Sequence, residues 1–387
     1  MDYYSPSLQR LQATVREIVE QVVAPRSRMV DSDAAWPEHS MRALAEAGLL
    51  GLCVPQELGG HGQGLPAVAL LTEIIGKACP SSALCFGMHC VGSAVIAAKA
   101  TVHQREKYLR SIAAGRHVTT LALSERGSGT HFYIPGLTLV EDGEFFALEG
   151  DKQFITSGGH ADSYVISTVS AQSGTEQAGD FSCLVVDART EGLEWQAPWR
   201  GFGMRGNASR GVHFRRARVP RENLLGSVGD QAWYVFEVVA PFFLTAMAGT
   251  YVGIAAAAVE ETAAHLKGRR YAHSGEALAE IESIQSRFAQ MWMACEKSRA
   301  LVREASLRGD SGHPEALHYI LASKADAGTT AVELANEAMT LCGGMAYGEN
   351  SRVAQLLRDA RASHVMAPTT DLLKVWLGRA LLELPLL

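Results

Sequence analysis

Two groups of small and hydroxyl-bearing residues in this chain could do chemistry, and both fall within residues 121–157, LALSERGSGTHFYIPGLTLVEDGEFFALEGDKQFITS. Ser124, the Gly127-Ser128-Gly129 turn and Thr130 form the first, and Thr156 ends the second. A glycine-rich turn leaves its backbone N–H groups unshielded, so they can converge on anionic oxygens while hydroxyls add donors. Holding the phosphates of a cofactor is the chemistry that suits such a loop; a hairpin with a glycine turn and no ligand is the other reading. The elements carrying it are β-strands, because Leu137, Leu139, Phe145 and Ala147 alternate around a Glu-Asp-Gly turn at 141–143.

Other chemistries find less support. No HExxH or CxxC occurs, and His131, His160 and His213 stand alone as structural histidines, so no metal is expected. The seven cysteines are odd in number and mostly in apolar surroundings, which fits free thiols in a reducing cytoplasm. A net charge of −6 argues against a nucleic-acid partner, and the densest basic knot, Arg215, Arg216 and Arg218, reads as a solvated strand edge. The N-terminus lacks the pattern of a signal peptide, and no uninterrupted apolar run reaches the length of a membrane span, so no membrane partner is expected.

With 387 residues, more than one core is expected. Residues 1–115 carry helical spacing at 7–23 (closed by Ala-Pro), 37–47, 66–79, 81–99 and 103–114. From 116 to 226 the texture changes to short strands at 117–124, 137–140, 145–148, 164–168, 182–186 and 211–214, without crossover helices. That predicts a mostly antiparallel barrel or sandwich. A dinucleotide-binding βαβ unit is disfavoured, since the Gly-Ser-Gly turn lacks the strand, GxGxxG and helix in sequence. Residues 227–387 return to helices at 233–266, with a Gly/Ala face, then 276–308, 315–342 and 351–382 with a break at Pro368. The fold class is α+β and multidomain: a helical N-terminal domain, a β-domain and a C-terminal four-helix bundle.

Five segments in this order resemble the acyl-CoA dehydrogenase family across essentially the whole chain. VPQELGGHG at 54–62 is similar to the family's turn after its second helices. LALSERGSGTH at 121–131 resembles its ALTEPGAGSD-type loop, and GDKQFITSGGHAD at 150–162 its GxKxxITNG segment. GFGMRGNASRGVHFRRARVPRENLLG at 201–226 and CGGMAYGENSRVAQLLRDAR at 342–361 resemble two further runs, the second ending in the family's RDAR. The likeness implies FAD between the β-domain and the bundle, completed by a neighbouring subunit of a homotetramer or homodimer. It implies that Leu121, Leu123 and Ser124 line the flavin, that Gly129 and Thr130 approach its phosphates, and that Phe154 and Thr156 lie against the ring. From the partner subunit it implies Gly343, Gly344, Thr369 and Asp371.

The chain departs from the family at the reacting end. RxQFG is YAHSG at 271–275, leaving Arg269 or Arg270 for the phosphates, and Thr340 replaces the glutamine before the double glycine. Acyl-thioester oxidation needs a carboxylate to take the α-proton while hydride leaves the β-carbon for flavin N5. The usual glutamate of YEGT falls on Ala367 and the alternative bundle position on Ala272. Glu276, Glu349, His364 and Asp371 are the remaining candidates for a base. An arginine near the CoA in many members aligns with Leu244, which admits a carrier-protein thioester beside acyl-CoA. The implied activity is oxidation of an acyl thioester, with electrons passing to a partner or to O2; flavin-dependent oxygenation on the same fold needs no α-proton base and is the second reading.

Overall fold

The computed structural model describes residues 4–170 and 180–386. Chain order is helical, then β, then helical. The first part holds α1 (Pro6–Ile18), α2 (Ala24–Ser32), α3 (Glu38–Glu46), α4 (Leu65–Ala78), α5 (Pro80–Ala98), α6 (Val102–Gln104) and α7 (Arg110–Ala113). The Ala-Pro pair does not end the first helix as the sequence suggests. A π-helical turn, Val19–Val23, joins α1 to α2. Pro25 then falls in the first turn of α2, where a missing N–H costs nothing.

The strands are β1 (Thr119–Ala122), β2 (Thr138–Asp142), β3 (Phe145–Ile155), β4 (Ser163–Ser170), β5 (Phe181–Asp187), β6 (Leu193–Trp195), β7 (Arg210–Pro220) and β8 (Leu224–Leu225). They form one sheet in the order β6-β7-β3-β2-β4-β5-β8, with β1 added beside β4. Five pairings are antiparallel, but β4 runs parallel to both β1 and β2, so the sheet is mixed. Alternation on β4 and β5 explains how it packs. Tyr164, Ile166, Leu184 and Val186 face a core shared with Phe146, Leu148, Phe214 and Val219. Val165, Cys183 and Val185 point the other way, into the helical core, so β4 is buried on both faces.

The last part holds α8 (Gln231–Trp233), α9 (Ala240–Gly268), α10 (Glu282–Asp310), α11 (Ala316–Cys342), α12 (Arg352–Ala360) and α13 (Thr370–Leu381). Glycines let α9 approach α4: a methyl group on Gly249 would lie 2.4 Å from Ala69 O, and one on Gly253 2.5 Å from Glu73 O. Helix α10 starts six residues later than the sequence suggests. Residues 271–275 form a turn with Gly275 at φ +75°, so Glu276 lies on an exposed loop.

Two helical stretches, Pro80–Ala98 and Gln231–Gly268, are long and apolar enough to cross a membrane, contrary to the sequence expectation of none. Their most apolar windows are 89% and 83% buried inside the fold, as core helices are. All seven cysteines are free, and among the described residues no cluster of His, Cys, Asp or Glu could hold a metal ion.

Candidate active site

Strand β1 delivers Leu121 to the edge of the helical core, after which Leu123, Ser124, Glu125 and Arg126 leave the sheet. Glu125 turns back. Its Oε2 accepts from Gly136 N at 2.7 Å, and its Oε1 from Leu137 N at 3.1 Å and Lys152 Nζ at 2.6 Å. Lys152 is wholly buried on β3 and also donates to Leu123 O at 3.3 Å and Ser167 Oγ at 3.1 Å, so each of its three N–H groups has an acceptor. Burial pushes its pKa down and the Glu125 carboxylate opposes that. This pair fixes the start of the glycine loop, where Ser128 Oγ donates to Glu125 O at 3.0 Å and Gly129 takes φ +53°.

On β3 the register with β7 shifts between Lys152 and Ile155. That bulge puts Phe154 at φ +54°, a left-handed conformation costing about 1 kcal/mol for a residue with a Cβ. The ring is thereby turned out, 57% exposed, with Trp199 edge-on at 5.7 Å. Next to it, Gln153 N donates to Ser124 O at 2.8 Å and Ser157 N to Asn207 O at 2.8 Å, drawing three segments together.

Two sequence runs interlock behind this platform. Gly203 packs on the α12 backbone, where a Cβ would lie 2.1 Å from Arg358 O. Met204 N donates to Asp359 Oδ1, and Arg358 pairs with Asp31 of α2. Burial raises the Asp359 pKa to about 6 against the pull of that N–H. The opposite wall is the turn at 365–368. Lys324 of α11, wholly buried, donates to Ser363 O at 2.8 Å and Pro368 O at 2.9 Å, and Ser363 Oγ donates to Gly328 O at 3.1 Å.

Between platform and turn lies a cavity of about 430 Å³. Leu121, Leu123, Ser124, Gly129, Phe154 and Thr156 line one side, Ala367 and Pro368 the other, with Leu84 and Met88 of α5 and Phe243 of α9 between. A larger cavity of about 1290 Å³ lies between α1, α4, α9 and α10, holding ion pairs such as Arg299–Glu73 and none of these residues. The smaller cavity suits the flavin of FAD. Its walls are mostly apolar, Phe154 offers a ring face, Gly129 has open space where a Cβ would stand, and the Ser124 and Thr156 hydroxyls make no hydrogen bond to the described residues. Two unpaired hydroxyls beside an apolar slot can serve the polar edge of a flat ring.

The other residues expected from sequence lie elsewhere. Thr130 is on the glycine loop but off the cavity wall. Thr369 caps α13, accepting from Leu372 N at 3.3 Å. Arg270 is exposed and donates to Gly275 O at 2.9 Å; Gly343, Gly344 and Asp371 are exposed. Of the base candidates, Glu276, Glu349 and Asp371 are exposed, and half-buried His364 sits with Nδ1 2.8 Å from Ser363 Oγ. Burial and then Arg361 push the His364 pKa down. None of the four lines the cavity, whose one carboxylate, Glu125, is tied to Lys152. Lys152, Trp199, Asp359 and Lys324 were not singled out from sequence. For Lys152 a signal exists: it continues the inward phase of Phe146, Leu148 and Gly150 on β3, and a charge there needs a partner.

Comparison with known proteins gives the class. Residues 5–116, 120–217 and 244–382 match the N-terminal, middle and C-terminal domains of acyl-CoA dehydrogenase. Cyclohex-1-ene-1-carbonyl-CoA dehydrogenase of Geobacter metallireducens is 30% identical over 372 residues, 95% of this chain and 96% of that protein. A probable acyl-CoA dehydrogenase of Mycobacterium leprae is 28% identical over 383 residues, 96% and 95% of the two chains. Among solved structures, butyryl-CoA dehydrogenase from Megasphaera elsdenii superposes with a TM-score of 0.91 at 23% identity, covering 98% and 99% of the two chains. The prolyl acyl carrier protein oxidase AnaB (19% identity, 98% and 99% covered) and the FAD complex of PigA (20%, 98% and 98%) both superpose at 0.88. The chain belongs to the acyl-CoA dehydrogenase family. It is a flavin oxidoreductase with FAD as cofactor.

Proposed function

We propose that this enzyme oxidises an acyl thioester, carried on CoA or a carrier protein, at the bond between its α- and β-carbons. The observation that carries the reading is the slot between the Ser124/Thr156 platform and the 365–368 turn, in a chain belonging to this family over most of its length. FAD, when bound, supplies a hydride acceptor. The residues do the rest. Ser124 and Thr156 would hold the ring edge, Phe154 and Trp199 cover the ring and exclude water, and the turn clamped by Lys324 fixes the opposite face. Gly129 and Thr130 would meet the phosphates, joined by Arg270, Gly343, Gly344, Thr369 and Asp371 from a second copy. Exposed Trp292, Met293, Met345 and Tyr347 support a homotetramer or homodimer, and seven free cysteines fit a cytoplasmic setting.

The α-proton would be taken by His364 or by Glu276, Glu349 or Asp371 brought by a second copy. His364 is nearest in sequence to the cavity, three residues before Ala367. Replacing each of the four singly in the FAD-loaded enzyme tests this: the base is the residue whose loss cuts reduction by acyl thioester at least 100-fold. Four full-rate variants remove all of them.

One observation favours oxygenation as a second reading: Ala367 stands in the cavity wall, and the only carboxylate there is neutralised by Lys152. Oxygen chemistry at reduced flavin does not need an α-proton base. It would be read as product formation that requires O2 and an added reductant, with electrons entering from a reductase instead of leaving to a partner flavoprotein.

A further inference from the structure

Arg126 is exposed at the border of the cavity and makes no hydrogen bond or ion pair with any described residue. Its neighbour Glu125 accepts from Lys152 and two backbone N–H groups and makes no pair with Arg126. The remaining lining is uncharged. Counting Glu125, Lys152 and Arg126, the cavity carries one uncompensated positive charge. Arg126 also stands where the family loop quoted above has proline.

Resting on the acyl-thioester reading, we propose that Arg126 is a specificity residue that pairs with an anionic group on the acyl moiety, so that the substrate is a thioester bearing a second carboxylate. A guanidinium presents a planar fork matching a carboxylate in two parallel hydrogen bonds, and an apolar wall raises the worth of that pair. A cofactor phosphate is the competing source of negative charge. Arg126 lies two residues after Ser124 and directly before the glycine loop at 127–129, so titration of the apoprotein with FAD is what separates the two sources. Preference for the charged chain follows, because an uncharged acyl group forgoes that pair and leaves the exposed guanidinium to solvent.

The test is anaerobic calorimetric titration of the FAD-loaded enzyme, its flavin reduced beforehand so that it accepts no hydride, with length-matched pairs: butyryl- and succinyl-CoA, pentanoyl- and glutaryl-CoA, hexanoyl- and adipyl-CoA. The expected result is at least tenfold tighter binding of the ω-carboxyl member for one or more lengths. That preference disappears in Arg126→Ala and Arg126→Gln and is partly kept in Arg126→Lys, while FAD affinity, measured by titrating apoprotein, changes less than twofold. No preference in the wild type, or a preference surviving in Arg126→Ala, overturns the proposal. So does an Arg126→Ala variant that weakens FAD tenfold and treats both members of each pair alike, which places the guanidinium on the cofactor phosphates. Because binding is read without turnover, a preference with no flavin reduction leaves Arg126 in this role and removes the oxidation reading alone.

Discussion

Lys152 Nζ lies 2.6 Å from Glu125 Oε1 with the lysine fully buried, so the loop bearing Ser124 and Gly129 is tied to β3 by a charge pair shielded from solvent. Removing one partner strands the other charge, which costs about 3–5 kcal/mol, whereas removing both leaves an apolar gap of similar shape. Lys152→Met is expected to lower the thermal midpoint and to weaken FAD binding more than tenfold. Adding Glu125→Gln should restore part of both. Equal losses in single and double variants would show that the pair does not act as a unit.

A second clamp sets the other wall. Lys324 has only carbonyl acceptors, Ser363 O and Pro368 O, and burial pulls its pKa down to about 7 while those carbonyls favour the ammonium form. Lys324→Met takes the lysine donor from Pro368 O and leaves Ser363 O with the Thr370 hydroxyl alone, at about 1–3 kcal/mol for a carbonyl left unpaired. The expected outcome, read by urea denaturation and FAD fluorescence, is a less stable protein whose bound flavin is more accessible to solvent quenchers. Unchanged quenching would separate Lys324 from the cavity.

His89 joins the helical and β parts: Nε2 lies 2.9 Å from Leu50 O, and Thr119 N donates to Nδ1 at 3.1 Å. The ring is therefore neutral with its proton on Nε2, and burial pushes its pKa down from 6.5 to about 4. A folded pKa below the unfolded value means that the unfolded chain takes up the proton first. Stability from this site is complete above about pH 6.5 and is lost as pH falls toward 4, on the order of 3 kcal/mol. Comparing unfolding midpoints of wild type and His89→Gln at pH 7.5 and 4.5 checks this, with the gap between the two proteins expected to shrink at the lower pH.

The missing base can be supplied. Ala367 faces the cavity, so Ala367→Glu would put a carboxylate on the wall opposite the platform. Flavin reduction by an acyl thioester is expected to rise about 100-fold. An unchanged rate would mean either that proton removal is already served from another wall or that the reaction is not a dehydrogenation.

The α, β, α order was legible because helical and alternating periodicities change cleanly near residues 116 and 226, and the loops of the platform were legible because motif and spacing agreed. Strands β6 and β8 escaped, being three and two residues long and too short to alternate. Pro25 misled because a π turn absorbs it, which no local pattern announces. At the site, Ser124, Phe154 and Thr156 could be placed from their segments. Trp199 and Lys324 could not, since the contacts that set them at the cavity, Trp199 with Phe154 and Lys324 with Pro368, join residues 45 and 44 apart in sequence. Ala367 told where a carboxylate is lacking, and nothing along the chain tells which residue replaces it.

The central claim is that a thioester itself reduces the bound cofactor. Anaerobic stopped-flow mixing of the FAD-loaded enzyme with the acyl-CoA pairs named above, followed at the flavin absorbance band with product analysis, tests it most directly. The account predicts bleaching with one enoyl thioester formed per flavin reduced. Flavin that stays oxidised with every acyl-CoA and with the corresponding carrier-protein thioesters, together with product appearing only when O2 and a reductant are supplied, would contradict it.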